Sequence, residues 1–292
     1  MNIGIIGMGF VGGTTAKVLS KEHKIFPYDK YKEDYNHKDC IMDLAEKAEV
    51  AFICVPTPMQ KSGAIDYFPI HNSITNLISA CGEVRRNPEE ILVTIRSTAV
   101  SGTTDRLAEK YPFKFAFNPE FLREKYALQD MENTDRVVLG VEDGDGKSLD
   151  KLLGVYKPLF PNASYYIVNR GTAEMIKYSA NVMLATQIAA ANMLYKICKA
   201  VDVNYDEVKK AILHDPRIGR NLDVPGHDGK FGFGGKCFPK DLNALIYLAR
   251  EHMVRPYLFE EVWRLNKEVR EEEDWLDIPG AVSENKNFSQ KS

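Results

Sequence analysis

One cysteine, Cys237, lies in a segment rich in glycines and charged side chains, residues 230–241. The three glycines of this segment let the backbone approach a ligand closely. The flanking Lys236 and Lys240 favour the thiolate, which is the nucleophilic form of cysteine. The alternative is a small, unreactive cysteine buried in a glycine loop. A reactive role therefore requires a cofactor and a base elsewhere in the chain.

The N-terminal segment has the spacing of a dinucleotide-binding turn. A buried-strand pattern over residues 2–6 leads directly into Gly7-Met8-Gly9-Phe10-Val11-Gly12 and then into a helical pattern, an order that holds a pyrophosphate on backbone N–H groups. A second strand over residues 24–28 ends at Asp29, where a carboxylate binds the ribose hydroxyls of NAD and repels the extra phosphate of NADP. We therefore predict NAD as the cofactor. The predicted contacts here are Gly7, Gly9, Phe10, Val11, Gly12, Asp29 and Lys30.

The strand patterns that follow predict an α/β domain over residues 1–170. They cover residues 50–55, 91–96, 113–117, 136–141 and 164–168. Helical patterns such as 70–81 and 103–110 lie between them, which is typical of a parallel, doubly wound sheet. Ligands of such sheets bind at the carboxyl ends of the strands.

Polar residues follow three of these strands. Pro56 stiffens the first loop, and Thr57 can reach the cofactor. The hydroxyls of residues 96–98 fit either a ligand site or a helix cap or turn. Glu120 and Glu124 either cap and solvate the next helix or transfer protons.

From residue 171 the pattern becomes helical up to residue 271, with helices over 172–200, 205–213, 242–252 and 257–272. Lys177 and Asn181 are four residues apart and share a helix face, which is either a functional face or a solvated edge. Residues 272–292 are acidic and then polar, so we expect a loose tail.

The bulk properties exclude several classes of function. A net charge of -3 gives no reason to expect nucleic acid or an acidic membrane surface as a partner. No apolar run reaches the length of a membrane span, so we expect a cytoplasmic protein. The five cysteines form no CxxC pair, and the acidic turn at 142–146 lacks the calcium-loop pattern, so we expect neither a disulfide framework nor a metal site.

Taken together, the motifs resemble the nucleotide-sugar dehydrogenases of the UDP-glucose and GDP-mannose dehydrogenase family. They occur in the family's order from residue 1 to about residue 270. The motifs are residues 7–12, 55–58, 96–98, 118–124, Lys177 with Asn181, 215–219 and 234–241. The resemblance implies a Rossmann-like domain followed by an all-helical central domain that forms a homodimer through its long helix.

The resemblance also implies a reaction, the oxidation of a sugar C6 alcohol to a carboxylate in two NAD-dependent steps, most simply UDP-glucose to UDP-glucuronate. Cys237 would form a thiohemiacetal and then a thioester. Lys177 and Asn181 would stabilise the oxyanion. Asp241 and Thr98 would hold a water. Glu120 would assist proton transfer and hydrolysis.

Further residues gain binding roles by resemblance. Thr98, Glu124 and Gly235 join Pro56 and Thr57 as cofactor contacts, and Arg217 would reach the substrate across a dimer interface. The implied substrate contacts are Glu120, Phe121, Leu122, Arg123, Glu124, Lys177, Asn181, Arg217, Phe231, Gly234 and Cys237.

Two departures from the family pattern keep alternatives open. The loop at 223–230 is longer than in many members, and the second Rossmann-like domain that covers the nucleotide is missing, so we expect a shortened form. One alternative is the same chemistry on another nucleotide sugar or a smaller hydroxylated molecule. Another is a dinucleotide-binding protein that has lost turnover, or one that acts only when paired with another chain.

Overall fold

The computed structural model describes residues 1–219 and 221–283, which fall into two compact units. Unit 1 comprises Met1–Thr57 and Tyr67–Lys177. Unit 2 comprises Pro58–Asp66 and the chain from Tyr178 onward. Within the described ranges, no helix is long and apolar enough to cross a membrane.

Unit 1 contains a seven-stranded sheet in the order β2-β1-β3-β4-β5-β6-β7. The strands are β1 (Asn2–Ile6), β2 (Lys24–Tyr28), β3 (Val50–Ile53), β4 (Leu92–Ile95), β5 (Lys114–Phe117), β6 (Arg136–Val141) and β7 (Ser164–Asn169). Each lies where a strand pattern predicts one, within two residues at either end, and β1 to β5 are parallel.

The sheet is not parallel throughout, which corrects one detail of the prediction. Strand β6 runs antiparallel to β5, with Phe117 opposite Gly140, and β7 is parallel to β6. A parallel neighbour needs a crossover that carries the chain back along the whole sheet. The connection after β5 contains only a 3-10 turn and the six-residue helix α5 (Ala127–Glu132), so β6 starts at the edge where β5 ends.

Helices cover both faces of the sheet in unit 1, as a doubly wound fold requires. They are α1 (Phe10–Leu19), α2 (Lys38–Lys47), α3 (Phe68–Val84), α4 (Thr103–Lys110), α5, α6 (Gly146–Tyr156) and the first turns of α7 (Arg170–Ala200). Leu44, Ile74 and Leu107 of α2, α3 and α4 pack in one apolar cluster. Val18 and Leu152 of α1 and α6 pack in another. The predicted α/β fold class is confirmed.

Unit 2 is helical, with the rest of α7 followed by α8 (Tyr205–Ile212), α9 (Phe238–Glu251) and α10 (Tyr257–Val269). Its main apolar cluster is formed by α7, α9 and α10. Helix α9 begins at Phe238 rather than at the predicted residue 242. Pro239 in its first turn explains the earlier start, because proline is well tolerated at that position.

The segment after α10 differs in part from the expected loose tail. Trp275 is 2% exposed and its ring lies 5.1 Å from that of Trp263. Farther on, the N–H of Met59 donates to the carbonyl of Ala281, and the N–H of Ser283 donates to the carbonyl of Met59, both at 2.8 Å. The remainder of the predicted tail, 284–292, lies outside the described residues. One buried tryptophan thus anchors a segment whose average composition is acidic.

A carboxylate from α7 caps helix α4. The oxygens of Glu174 accept hydrogen bonds from the N–H of Gly102 at 2.7 Å, the N–H of Thr104 at 2.8 Å and the hydroxyl of Thr104 at 2.6 Å. Gly102, the N-cap residue, has no side chain to do this. Burial raises the pKa of Glu174 to about 7, against the opposing effect of these hydrogen bonds.

This pKa predicts a pH dependence of stability with a definite sign. The folded protein keeps the Glu174 proton between the ordinary pKa near 4.5 and about 7, whereas the unfolded chain loses it. The stabilisation is therefore complete below the ordinary pKa and disappears as the pH rises through about 7. We expect the free energy of unfolding to fall by about 2–3 kcal/mol between pH 5 and pH 8 through this group.

Urea denaturation of the wild type and of Glu174→Gln at both pH values measures this contribution. The amide does not titrate, so the other groups cancel in the difference between the two proteins. An equal fall in both proteins would contradict the assignment.

Candidate active site

The glycine turn after β1 adopts a backbone that requires glycine at two positions. Gly7 has φ +92°, in the left-handed region, and a Cβ there would lie 2.8 Å from the carbonyl oxygen of Cys54. A Cβ on Gly12 would overlap the carbonyl oxygen of Gly7. These two glycines therefore allow the tight turn between β1 and α1.

The N-terminus of α1 is open to a ligand. Gly9 is its N-cap, no side chain caps it, and a Cβ on Gly9 would meet nothing within 4 Å. Phe10 and Val11 form the start of the helix, where backbone N–H groups have no partner within the helix. Such donors, together with the helix dipole, suit a pyrophosphate.

Asp29 connects the end of β2 to this turn. One carboxylate oxygen accepts from the N–H of Met8 at 2.7 Å, and the other accepts from the N–H of Tyr31 at 2.8 Å and of Lys32 at 3.2 Å. A carboxylate has about four acceptor positions, so ribose hydroxyls can still bind. Lys30 is exposed, with its ammonium 3.3 Å from the side-chain oxygen of Asn72. The open helix end and Asp29 fit NAD.

The loops after β3 and β4 are joined by a serine hydroxyl. Ser97 Oγ donates to the carbonyl of Val55 at 2.7 Å. Pro56 is exposed, Thr57 is buried, and Thr98 is partly buried. The structure thus places Thr57 and Thr98 at the carboxyl ends of two adjacent strands, as predicted.

A buried ion pair follows β5. Lys177 Nζ lies 2.9 Å from Glu120 Oε1 and 2.7 Å from the Glu120 carbonyl oxygen, and both residues are less than 10% exposed. Burial acts to raise the pKa of Glu120. The Lys177 ammonium and the hydrogen bond from the N–H of Leu122 outweigh it and hold the pKa below its ordinary value. Glu120 is therefore a carboxylate at neutral pH, in the form that can accept a proton.

A second buried network, of hydrogen bonds, includes residues that directly follow β4 and β5. The Arg96 guanidinium donates to the side chain of Asn118 and, at 3.2 Å, to the hydroxyl of Tyr156. The Tyr156 hydroxyl donates to Asn118 at 2.6 Å. Arg96 also acts to lower the pKa of Glu120. The network thus adds positive charge near the catalytic candidate Glu120.

The rest of the 118–124 segment is partly exposed. The guanidinium of Arg136 lies 4.0 Å from the centre of the Phe121 ring. Arg123 forms an exposed ion pair with Asp130 at 2.5 Å. Glu124 starts a 3-10 turn. Side-chain contacts within unit 1 therefore bring Glu120 and Lys177 together, whereas Arg123 binds another partner.

In unit 2, Cys237 is exposed and is the N-cap of α9. One turn later Asp241 is 1% exposed. Its carboxylate accepts from Asn181 Nδ2 and from Lys240 Nζ, each at 2.5 Å. Lys240 is thus bonded to Asp241, a contact that the sequence does not predict. Two of the candidate site residues, Asn181 and Asp241, are in contact.

The other residues of unit 2 with predicted binding roles have other partners or features. The Phe231 ring is 5.5 Å from that of Tyr195. Gly235 has φ +70°, in the left-handed region, and follows Gly234 in the loop before the cysteine. Arg217 is exposed and bonded to Asp215 at 2.6 Å.

Several supporting residues escape prediction from the sequence. They are Tyr156, Asn192, Asn266, Arg270 and Asp274. The contact of Lys240 with Asp241 is also missed, although Lys240 itself is singled out. Asn192 and Asn266 leave a usable signal, because each is a polar residue within a helical apolar pattern. Such residues have partners when buried.

Two family models match the chain. The NAD binding domain of the UDP-glucose/GDP-mannose dehydrogenase family matches residues 29–160, and the central domain of the same family matches residues 171–268. The prediction of NAD as the cofactor is confirmed.

Named relatives agree with this family. The UDP-glucose 6-dehydrogenase of Rhizobium meliloti is 33% identical over 226 residues, covering 74% of this chain and 49% of that protein. The UDP-glucose 6-dehydrogenase of Rickettsia prowazekii is 30% identical over 302 residues, covering 91% of this chain and 67% of that protein. The chain therefore spans between half and two thirds of the length of these relatives.

A solved structure is similar over the same extent. The UDP-glucose dehydrogenase from the hyperthermophilic archaeon Pyrobaculum islandicum has a TM-score of 0.77 and 27% identity. The match covers 91% of this chain and 68% of that one.

A pair of glycine variants tests the cofactor turn. We expect Gly9→Ala to fold with a free energy of unfolding close to that of the wild type but to bind NAD more weakly, because the added methyl group meets no protein atom and projects where the backbone must approach the pyrophosphate. Gly12→Ala should instead destabilise unit 1 by more than about 2 kcal/mol, because its methyl group overlaps the Gly7 carbonyl.

Thermal unfolding with and without NAD measures both effects. The interpretation fails if Gly9→Ala keeps the full NAD-induced rise in melting temperature, or if Gly12→Ala is as stable as the wild type.

Proposed function

The chain belongs to the UDP-glucose/GDP-mannose dehydrogenase family, and on that premise we propose that it oxidises the C6 alcohol of a nucleotide sugar, UDP-glucose in the first instance, to the carboxylate. Membership supports an NAD-dependent oxidoreductase. One observation carries the finer proposal: α9 presents an exposed thiol, Cys237, and one turn later a buried carboxylate, Asp241, held by two donors.

The first oxidation needs a base and a positive charge. Glu120 is an ionised carboxylate and accepts the hydroxyl proton, while the Lys177 ammonium stabilises the negative charge that develops on the oxygen. NAD, when bound, accepts a hydride in each of the two oxidations. The product of the first is an aldehyde.

The second oxidation needs a covalent bond to the protein. The Cys237 thiolate adds to the aldehyde carbon and forms a thiohemiacetal, whose oxyanion Asn181 and Lys177 stabilise. Loss of a second hydride and a proton gives a thioester. The covalent bond to Cys237 keeps the aldehyde from being released between the two oxidations.

Hydrolysis of the thioester completes the reaction. Asp241 and Thr98 hold a water, and Glu120 assists removal of its proton. Attack by the water breaks the C–S bond, releases the carboxylate and restores the Cys237 thiol. The balanced reaction consumes one water and two NAD for each sugar.

We also propose contacts that bind the sugar nucleotide and the cofactor. The backbone of 121–124, with Phe231, Gly234 and Arg217, binds the sugar nucleotide. Thr57, Thr98, Glu124 and Gly235 join the glycine turn as cofactor contacts, with Pro56 stiffening the loop that carries Thr57. The partly exposed setting of 121–124 supports this role.

A homodimer through α7 and a cytoplasmic location complete the proposal. Large apolar side chains exposed on the second half of α7, among them Met193, Leu194 and Ile197, support the dimer. No disulfide bond joins the five cysteines, all of which lie in the described part of the chain, and this agrees with a reducing compartment.

A second candidate keeps the chemistry but changes the substrate. The family to which the chain belongs covers GDP-mannose as well as UDP-glucose dehydrogenases. This supports another nucleotide sugar, or a smaller hydroxylated molecule, as the alternative substrate. A third candidate, of a different class, is a protein that binds NAD without turnover or that acts only when paired with another chain.

The stoichiometry of NADH formation tests the proposal. With limiting UDP-glucose and excess NAD, we expect the absorbance of reduced cofactor to reach about two NADH per sugar, because the tethered aldehyde proceeds to the acid. Cys237→Ser should not complete the second oxidation. Cys198→Ser is the matched control, since this partly buried cysteine has no assigned role.

Two other outcomes of the NADH assay distinguish the candidate functions. NADH formation with GDP-mannose or UDP-GlcNAc but not with UDP-glucose selects the second candidate. NAD binding without turnover on any of these sugars rejects the enzymatic proposal.

A further inference from the structure

The loop before Cys237, residues 231–235, has no helix or strand, yet side chains from two helices and the turn that follows α10 hold its backbone. An irregular loop must find hydrogen-bond partners outside itself. Four polar side chains supply them: Asn192, Asn266, Arg270 and Asp274. These residues and the loop all belong to unit 2.

Asn266 makes the closest of these contacts. Its side-chain oxygen accepts from the N–H of Phe233 at 2.7 Å, and its amide donates to the carbonyl of the same residue at 2.9 Å. Asn266 is 1% exposed. A Cβ on Gly232 would overlap its side-chain oxygen. The loop therefore lies directly against α10.

Arg270 and Asp274 hold both ends of the loop. Arg270 donates to the carbonyl of Phe231 at 3.2 Å and forms an ion pair with Asp274 at 3.0 Å. Asp274 accepts from the N–H of Gly235 at 3.2 Å. A Cβ on Gly234 would overlap both side chains. Asp274 thus fixes the backbone two residues before Cys237.

Asn192, on α7, also binds this loop. The side-chain oxygen of Asn192 accepts from the N–H of Gly232 at 3.1 Å, and its amide donates to the carbonyl of Ile188 within the helix. Asn192 is 2% exposed. Both Gly232 and Gly235 have left-handed φ values, +66° and +70°. The loop therefore has one conformation that these bonds select.

We infer that Asn192, Asn266, Arg270 and Asp274 are positioning residues for Cys237, holding the loop so that the thiol stays at the start of α9. Burial of so many polar groups is unfavourable unless each is paired. Here their hydrogen-bond partners are backbone groups of an irregular loop that leads to Cys237. A rigid supporting shell is what precise placement of a reacting group requires. The inference rests on the proposed role of Cys237.

Two variants test this inference, together with a control variant on α10. Asn266→Ala removes both bonds to Phe233, and Asp274→Asn weakens the ion pair with Arg270 while keeping the shape of the side chain. Lys267→Gln, next to Asn266 but exposed, is the control. Hydrogen exchange of a peptide covering 231–237, read by mass spectrometry, reports the loop. Steady-state kinetics with UDP-glucose and NAD report the reaction.

We expect both variants to exchange the loop amides faster, with Asn266→Ala the larger effect. We expect kcat to fall by about tenfold or more with Asn266→Ala, while the KM for NAD rises by a smaller factor, because Gly235 is the one proposed cofactor contact in this loop and the others lie in unit 1. Asn266→Asp, which keeps the acceptor for the Phe233 N–H, should recover part of the loss. Lys267→Gln should match the wild type in both measurements.

Unchanged exchange in Asn266→Ala and Asp274→Asn overturns the inference, as does faster exchange with an unchanged kcat. If Asn266→Ala fails to fold, Asp274→Asn decides by the same criteria. A wild type that yields no NADH with any sugar nucleotide refutes the proposed function instead. In that case the exchange data alone decide whether these side chains hold the loop.

Discussion

Two opposite charges, Lys177 and Glu120, are buried against each other at the carboxyl end of β5. Removing either partner would leave an uncompensated charge in the interior of unit 1, which is strongly unfavourable. The pair therefore requires the end of β5 and the first turns of α7 to keep their positions. It also holds Glu120 as a carboxylate. The same contact thus constrains the local structure of unit 1 and holds a proposed base in its ionised form.

Helix α7 bears further polar side chains that bind neighbouring segments, in unit 1 and in unit 2. Glu174 caps α4 and Lys177 meets Glu120 in unit 1. In unit 2, Asn181 meets Asp241 and Asn192 meets Gly232. Each is a polar side chain on one continuous helix, and each meets a loop, a helix start or a catalytic candidate. The helix therefore supplies hydrogen bonds to several segments that lack their own.

Local patterns in the sequence predict most of the fold because they follow from local chemistry. The strand patterns, the glycine turn and Asp29 can each be recognised in a short run of sequence, although Asp29 also binds the N–H of Met8, which is distant in the chain. The direction of β6 depends on the path of a connection, and the burial of Trp275 depends on Trp263. The pairing of Lys240 with Asp241 and the support of the cysteine loop by Asn266 likewise arise only when helices pack. Cys237, Lys177 and Asp241 could be chosen as site residues from their motifs, whereas among their supporting residues Asn192 and Asn266 alone leave a signal, as polar residues in helical apolar patterns.

In the proposed mechanism, Cys237 holds the substrate covalently between the two oxidations. Acid quenching of the protein during turnover with UDP-glucose and NAD, followed by digestion and mass spectrometry, tests it directly. An Asp241→Asn variant, in which thioester hydrolysis should be slow, increases the amount trapped. We expect a sugar-nucleotide adduct on the peptide that contains Cys237. NADH formation with no adduct on that peptide, in the wild type and in the variant, would contradict it.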